Sequence, residues 1–85
     1  MKHLSVGTLE SSDCLITLKE NNGLKITIDT PLEEAFLNAI YDVIETGLKH
    51  HNISNIHVIL QDKGALDFTI KARLETAIKR WMNDE

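Results

Sequence analysis

The chain has 85 residues and a formal net charge of −4 at pH 7, which predicts a single small domain over residues 1–85. Its lysines and arginines are scattered, so no basic stripe suits nucleic acid, and no apolar run approaches the ~20 residues that cross a bilayer. The N-terminus lacks the apolar core of a signal peptide, and the single cysteine, Cys14, permits no internal disulfide. These features predict a cytoplasmic protein, better sized for binding or carrying than for stand-alone catalysis.

The first part of the chain has the two-residue periodicity of β-strands with one buried face. A short first strand is expected over residues 3–11, through Val6 and Leu9. Clear alternation of apolar and polar residues over 14–20 and again over 24–29 predicts two further strands.

These second and third strands are predicted to pair as a β-hairpin. A two-residue loop at Asn22-Gly23 would place apolar residues opposite polar ones. A three-residue loop over 21–23 instead pairs Leu18 with Ile26. We therefore expect the second register, with Gly23 in the left-handed conformation of a bulged turn.

Residues 30–52 have the periodicity of an amphipathic helix. Thr30 is the expected N-cap, with Pro31 at the first helical position and Glu33 completing a capping box. One apolar stripe is expected to face the core, formed by Leu32, Phe36, Ala39, Ile40, Val43, Ile44 and Leu48.

The second half of the chain predicts one more strand and one more helix. Residues 53–62 form the strand, with Ile56, Val58 and Leu60 on its buried face. After a tight connector, residues 66–85 form the helix. Its inner side is expected to carry Leu66, Ile70, Leu74, Ala77, Ile78 and Trp81.

The predicted element order is therefore β-β-β-α-β-α. Because the second face of the strands is largely polar, both helices are expected on one face of a small four-stranded sheet. The fold class is α+β, a two-layer sandwich. The third strand, first helix and fourth strand are expected to form a right-handed parallel crossover.

Common catalytic and metal-binding patterns do not occur in the sequence. It contains no glycine-rich phosphate loop, and the adjacent His50 and His51 would project about 100° apart on a helix, which does not suit chelation of one metal. Cys14 has the parity of the buried strand positions and His57 the opposite parity, so they do not make a nucleophile–base pair. We expect Cys14 in the core, no catalytic residue and no metal site.

Two polar segments allow both a structural and a functional interpretation. They are Glu10–Asp13, "ESSD", and Asp62–Asp67, "DKGALD". Both compositions are typical of turns. The functional interpretations are a modified serine in the first segment and a phosphate held by Lys63 and a helix start in the second. Residue chemistry alone favours a turn in each case.

Three apolar residues outside the predicted core suggest a docking surface. Leu15 and Ile59 lie on the otherwise polar face of the sheet, and Leu9 precedes the paired serines. Single exposed apolar residues are also ordinary in globular proteins, so both interpretations stay open.

Two blocks of the sequence resemble the acyl carrier protein, or gamma subunit, of citrate lyase. The first is Gly7–Ser11, "GTLES", where the family has a "GTLESGD"-like segment before a strand. The second is Asp62–Asp67, "DKGALD", followed by Ala72–Glu75, "ARLE". The blocks stand in the family's order, and the resemblance covers nearly the whole chain.

The resemblance implies a non-catalytic carrier with a covalent arm on a serine. In the family the arm is 2′-(5″-phosphoribosyl)-3′-dephospho-coenzyme A, joined through a phosphodiester. By its position in the motif the attachment residue is Ser11. Ser12 stands where the family has glycine, and its hydroxyl makes it the rival site.

The resemblance also implies partners. The family's alpha and beta subunits are the two large subunits: one exchanges the acetyl group on the arm for citrate, and the other cleaves the citryl thioester to oxaloacetate. A prosthetic-group transferase and an acetylating ligase prepare the carrier. Two classes of alternative stay open: the related carrier of citramalate lyase or malonate decarboxylase, and an α+β interaction module without a cofactor.

Overall fold

A computed structural model describes residues 2–83 of the protein. The element order β-β-β-α-β-α is confirmed, and so is the α+β class. The elements are β1 (His3–Gly7), β2 (Cys14–Glu20), β3 (Leu24–Asp29), α1 (Glu34–His50), β4 (Ile56–Asp62) and α2 (Asp67–Met82).

The sheet has the strand order β1-β2-β4-β3, so the predicted hairpin between β2 and β3 is wrong. β4 lies between them, antiparallel to β2 and parallel to β3. Leu18 and Ile26, which were expected to pair with each other, both pair with Val58. Alternation assigns side chains to a face of a sheet but does not specify the neighbouring strand. β4 pairs with β2 on one side and with β3 on the other, and each pairing places Val58 and Leu60 of β4 opposite apolar residues.

The turn between β2 and β3 crosses the beginning of β4. Gly23 has a φ of +87°, as expected for a left-handed residue. Its carbonyl accepts the amide of Ile56 at 3.1 Å, and its amide donates to the Asn55 side-chain oxygen at 3.1 Å. The turn therefore passes over the start of β4 and does not close a hairpin between β2 and β3.

One face of the sheet and the inner sides of both helices form a single hydrophobic core, which confirms the two-layer arrangement. The inner residues of β2 and β4 and Val6 of β1 are buried as expected, and Cys14 is among them with no exposed surface. On β3 the expectation holds only in part, because Ile26 and Ile28 are half-buried and Leu24 is exposed. The helices contribute Ile40, Ile44, Leu48, Ile70, Leu74, Ala77 and Ile78.

The first helix begins later than expected. α1 starts at Glu34 with Glu33 as its N-cap, so the assignment of Thr30 as N-cap is wrong. The Thr30 hydroxyl instead donates to the Asp62 carboxylate at 2.7 Å and accepts the Leu32 amide at 3.2 Å. A partner 32 residues away takes the hydroxyl that would have capped the helix.

The expected apolar stripe of α1 is only partly buried. Ile40, Ile44 and Leu48 are in the core, but the other four members of the stripe are exposed: Leu32, Phe36, Ala39 and Val43. Phe36 is 54% exposed. The helix packs against α2, which contributes Ile70, Leu74, Ala77 and Ile78 to the same core.

Two residues near the ends of elements differ from expectation, and a third agrees with it. β1 ends at Gly7, so Leu9 lies in the following loop. In α2, Leu66 is an exposed N-cap and not part of the inner side. Trp81 packs against the core as expected and is half-buried, with the ammonium group of Lys2 4.3 Å from its ring centroid. The expected last two residues of the helix, 84 and 85, lie outside the described residues. Within residues 2–83 no helix is long and apolar enough to span a membrane.

The burial of Cys14 leads to a stability prediction. Burial, together with the carboxylates of Asp13 and Asp62, raises the pKa of its thiol to about 11, so the group is a neutral packing element at physiological pH. Cys14→Ala should lower the free energy of unfolding by about 1 kcal/mol, as loss of one buried methylene-sized group does. Urea denaturation measures this, with exposed Ser54→Ala as control. Unchanged stability of Cys14→Ala would contradict the packing role.

Candidate functional site

Three connections meet at one edge of the sheet because of the strand order. The register pairs Cys14 with Asp62 and Asp29 with Gln61. The β1–β2 loop, the β3–α1 connection and the β4–α2 connection therefore leave the sheet side by side. Between them lies an open depression of about 500 Å³. It is lined by Leu9, Ser11, Asp29, Thr30, Pro31, Asp62 and Lys63.

The paired serines form the tip of the β1–β2 loop. The Asp13 amide donates to the Glu10 carbonyl at 3.1 Å, which closes a four-residue turn with Ser11 and Ser12 at its centre. At the base of the loop, the Thr8 amide donates to the Cys14 carbonyl at 3.1 Å. Both serines are exposed. The segment is thus a turn, as its composition predicts, and it holds two accessible hydroxyl groups.

A glycine at the base of the loop allows the close approach of its two ends. Gly7 has a φ of +106°, and a Cβ there would lie 2.0 Å from the Cys14 carbonyl oxygen. No other residue type fits this contact without moving the backbone.

The Asp13 carboxylate holds the loop in shape. It accepts the Thr8 hydroxyl at 2.6 Å and the Cys14 amide at 2.7 Å. Arg73 of α2 donates to both carboxylate oxygens, at 3.2 and 3.0 Å. The bond from Thr8, then the Cys14 amide and Arg73, lower the pKa of Asp13 to about 2. The carboxylate therefore stays ionised and ties the loop to α2.

Two main-chain hydrogen bonds join the β1–β2 loop, residues 8–13 and hereafter the serine loop, to the β4–α2 connection. The Ser12 amide donates to the Lys63 carbonyl at 2.9 Å, and the Lys63 amide donates to the Asp13 carbonyl at 2.9 Å. Reciprocal bonds of this kind set the relative position of two backbones. The segments "ESSD" and "DKGALD", about 50 residues apart in sequence, are thus one local structure.

The buried Asp62 fixes the other side of the depression. Its side chain is 3% exposed and accepts the Thr30 hydroxyl at 2.7 Å. It also accepts the amides of Gly64 and Ala65, at 3.0 and 2.8 Å. A buried carboxylate requires such partners. This bond set connects the β3–α1 and β4–α2 connections.

Ser12 has a backbone conformation that glycine adopts more easily. Its φ is +68°, at the third position of the turn, where type II turns require a positive φ. This explains in physical terms why glycine would suit the position. Ser11 has no positive φ, and its surface lines the depression, whereas that of Ser12 does not.

The other residues considered from the sequence are not brought to this edge. His50 and His51 lie at the C-terminal end of α1, with ring centroids 5.1 Å apart. Across residues 2–83, no three His, Cys, Asp or Glu side chains are placed to hold a metal ion. Cys14 and His57 lie on opposite faces of the sheet.

Sequence reasoning missed two parts of the site. The ion pair of Arg73 with Asp13 joins residues 60 positions apart, and the Thr30–Asp62 bond joins residues 32 apart. Arg73 and Asp62 do occur in the blocks "ARLE" and "DKGALD", which was the available signal.

Comparison with known proteins gives consistent similarities. A family model described as "Malonate decarboxylase delta subunit (MdcD)" matches residues 1–81. The chain is 43% identical over 77 residues to the citrate lyase acyl carrier protein of Halothermothrix orenii, covering 89% of this chain and 82% of that protein. For the same-named protein of Latilactobacillus sakei the identity is 45% over 82 residues, covering 95% and 81%. For that of Treponema denticola it is 36% over 74 residues, covering 87% and 85%.

The positive φ of Ser12 predicts that glycine is more stable there. Ser12→Gly should raise the free energy of unfolding by about 1 kcal/mol, because it removes left-handed strain from a residue with a Cβ. Ser11→Gly is the matched control and should not stabilise the protein, since it only adds freedom to the unfolded chain. Chemical denaturation of both variants measures this. Equal effects would contradict the strain at Ser12.

The lowered pKa of Asp13 predicts a specific acid sensitivity. Because the pKa is about 2 in the folded protein and ordinarily near 4, the stability from this carboxylate is complete above about pH 4 and is lost as pH falls towards 2. Asp13→Asn should therefore lose less stability over that interval than the parent. Glu10→Gln, on the same loop, is the control and should behave like the parent. An unaltered pH profile for Asp13→Asn would contradict the assignment.

Proposed function

This chain belongs to the acyl carrier protein family that the malonate decarboxylase delta subunit model describes and that includes the citrate lyase acyl carrier proteins, and on that premise we propose that it is the carrier subunit of a citrate lyase. We further propose that Ser11 carries a 2′-(5″-phosphoribosyl)-3′-dephospho-coenzyme A arm. The observation that supports this most directly is an exposed serine at the tip of a turn held from three sides.

The residues at this edge suit a covalent arm. Attachment needs a hydroxyl that a transferase can reach, and Ser11 is exposed at the rim of the depression. It also needs a backbone that stays fixed while the arm moves. The Asp13–Arg73 pair and the two main-chain hydrogen bonds to Lys63 hold the backbone of the loop in place.

When attached, the arm supplies a terminal thiol that carries acetyl and citryl groups as thioesters. The chain's own part is to hold the attachment point. Tethering converts encounter with the large subunits into a local event at high effective concentration. We propose no catalytic residue in this chain. We also propose the cytoplasm as its location, because a reducing compartment suits a protein with one free thiol.

Exposed apolar side chains near the attachment edge are proposed to contact the alpha and beta subunits. Leu66 and Phe68, at the start of α2, are 62% and 70% exposed, and Leu9 lies in the serine loop. Exposed apolar groups of this size favour protein contacts. The other residues considered for docking, Leu15 and Ile59, are half-buried on the open face of the sheet. We propose that face as a secondary contact. The transferase and the acetylating ligase would approach the same edge, because both act on Ser11 or its arm.

A second candidate function is the carrier subunit of a malonate decarboxylase. The description of the matching family model favours it. The two candidates share the attachment site and differ in the large subunits. Adding the modified carrier separately to carrier-free citrate lyase and carrier-free malonate decarboxylase distinguishes them, because only the cognate complex should regain turnover. A citramalate lyase complex tests the third member of this group in the same way.

The attachment site has a direct test. Ser11→Ala and Ser12→Ala are each incubated with the family's transferase and its arm donor, and intact mass is recorded. Ser11→Ala should keep the unmodified mass, because the acceptor oxygen is gone, and Ser12→Ala should gain one arm. The reverse pattern would move the site to Ser12. Failure of the parent chain to gain mass, with a known carrier as positive control, would favour a module without a cofactor.

A further inference from the structure

We propose that Lys63 binds the phosphodiester through which the arm is joined to Ser11, and that it assists the attachment. The inference rests on the proposed function. It assigns a phosphate-binding role to a lysine in the β4–α2 connection, for which residue chemistry alone favoured a plain turn.

The backbone of Lys63 is held against the serine loop. Its carbonyl accepts the Ser12 amide and its amide donates to the Asp13 carbonyl, both at 2.9 Å. These bonds involve the residues directly after Ser11. The position of Lys63 relative to the attachment serine is therefore set by main-chain geometry and does not depend on how the side chains pack.

Lys63 and Ser11 line the same depression. Lys63 is exposed, and within residues 2–83 its ammonium group takes part in no hydrogen bond or ion pair. A long flexible stem with three ammonium donors can reach a phosphate from this position. The group is thus available for an anion next to Ser11.

The charges around the depression make this lysine important. Of the residues that line it, all within the described part of the chain, Lys63 is the only basic one, whereas Asp29 and Asp62 are acidic. Arg73, the other cation near the loop, already donates to both oxygens of Asp13. A phosphodiester on Ser11 would add a further negative charge, and Lys63 is the group placed to balance it.

The attachment step needs a donor whose 5″-phosphate is activated as a phosphoanhydride. The Ser11 oxygen forms a bond to that phosphorus, its hydroxyl proton leaves to solvent or a transferase base, and the bond from phosphorus to the diphosphate leaving group breaks. Negative charge on the transferring phosphate is stabilised by a nearby cation. Lys63 supplies that cation during the reaction and remains beside the product phosphodiester.

The test uses three variants of the full chain. Lys63→Gln removes the charge and keeps most of the side chain, Lys63→Arg restores a charge, and Lys71→Gln removes an exposed charge on α2 as the matched control. Attachment is followed by intact mass over time. Lys63→Gln should lower kcat/KM for attachment by about tenfold or more, the usual effect of one charge-assisted hydrogen bond. Lys63→Arg and Lys71→Gln should stay near the parent value.

A second readout separates contact with the phosphate from contact with the transferase. The modified parent and variants are purified after exhaustive attachment, and the ³¹P chemical shift of the phosphodiester is measured in the isolated carrier. Lys63→Gln should shift this resonance and Lys71→Gln should not. An unchanged resonance would overturn the proposal even if attachment slows, because Lys63 would then act on the transferase. Equal attachment rates for all variants would overturn its assistance to attachment. A parent chain that accepts no arm refutes the proposed function instead, so the two failures are distinguishable.

Discussion

The insertion of β4 between β2 and β3 is the constraint on which the rest of the structure depends. As the central strand, β4 pairs with β2 over its full length and with β3 over all but its last residue. Its apolar side, Ile56, Val58 and Leu60, is fully buried. The insertion also brings Asp62 opposite Cys14, where the serine loop returns to the sheet. Without it, "ESSD" and "DKGALD" would not be neighbours.

Two carboxylates then hold the connections at this edge, and hydrogen-bond geometry contributes more to this than charge attraction. Solvent screens partly exposed ion pairs such as that of Arg73 with Asp13, so charge attraction alone contributes little to stability. Asp13, however, also satisfies the Thr8 hydroxyl and the Cys14 amide, and these two bonds are the larger causes of its lowered pKa. The Asp62 carboxylate likewise accepts hydrogen bonds from two amides and from the Thr30 hydroxyl. In a domain with a small core, such bonds order loops that hydrophobic burial does not reach.

The site has one locally unfavourable feature. Ser12 occupies a left-handed conformation, which costs on the order of 1 kcal/mol for a residue with a Cβ. Two hydrogen bonds keep the turn in this conformation. The Ser12 amide donates to the Lys63 carbonyl, and the Asp13 amide donates to the Glu10 carbonyl. The same turn leaves Ser11 exposed while its backbone is held. Order in the backbone and access to the side chain are what an attachment point for a mobile arm requires.

The sequence by itself determined the element order, the buried side of β2 and β4, the core position of Cys14 and, through two short blocks, the family. These follow from local periodicity and composition, which act within a few residues. Only the tertiary structure decided the neighbours of β2 and β3, because alternation is the same whichever strand pairs alongside. It also decided the start of α1, since Asp62 takes the hydroxyl of Thr30, and how much of the apolar stripe of α1 is buried. The pairing of Lys63 with the serine loop belongs to this second group, because main-chain hydrogen bonds carry no signature in side-chain sequence.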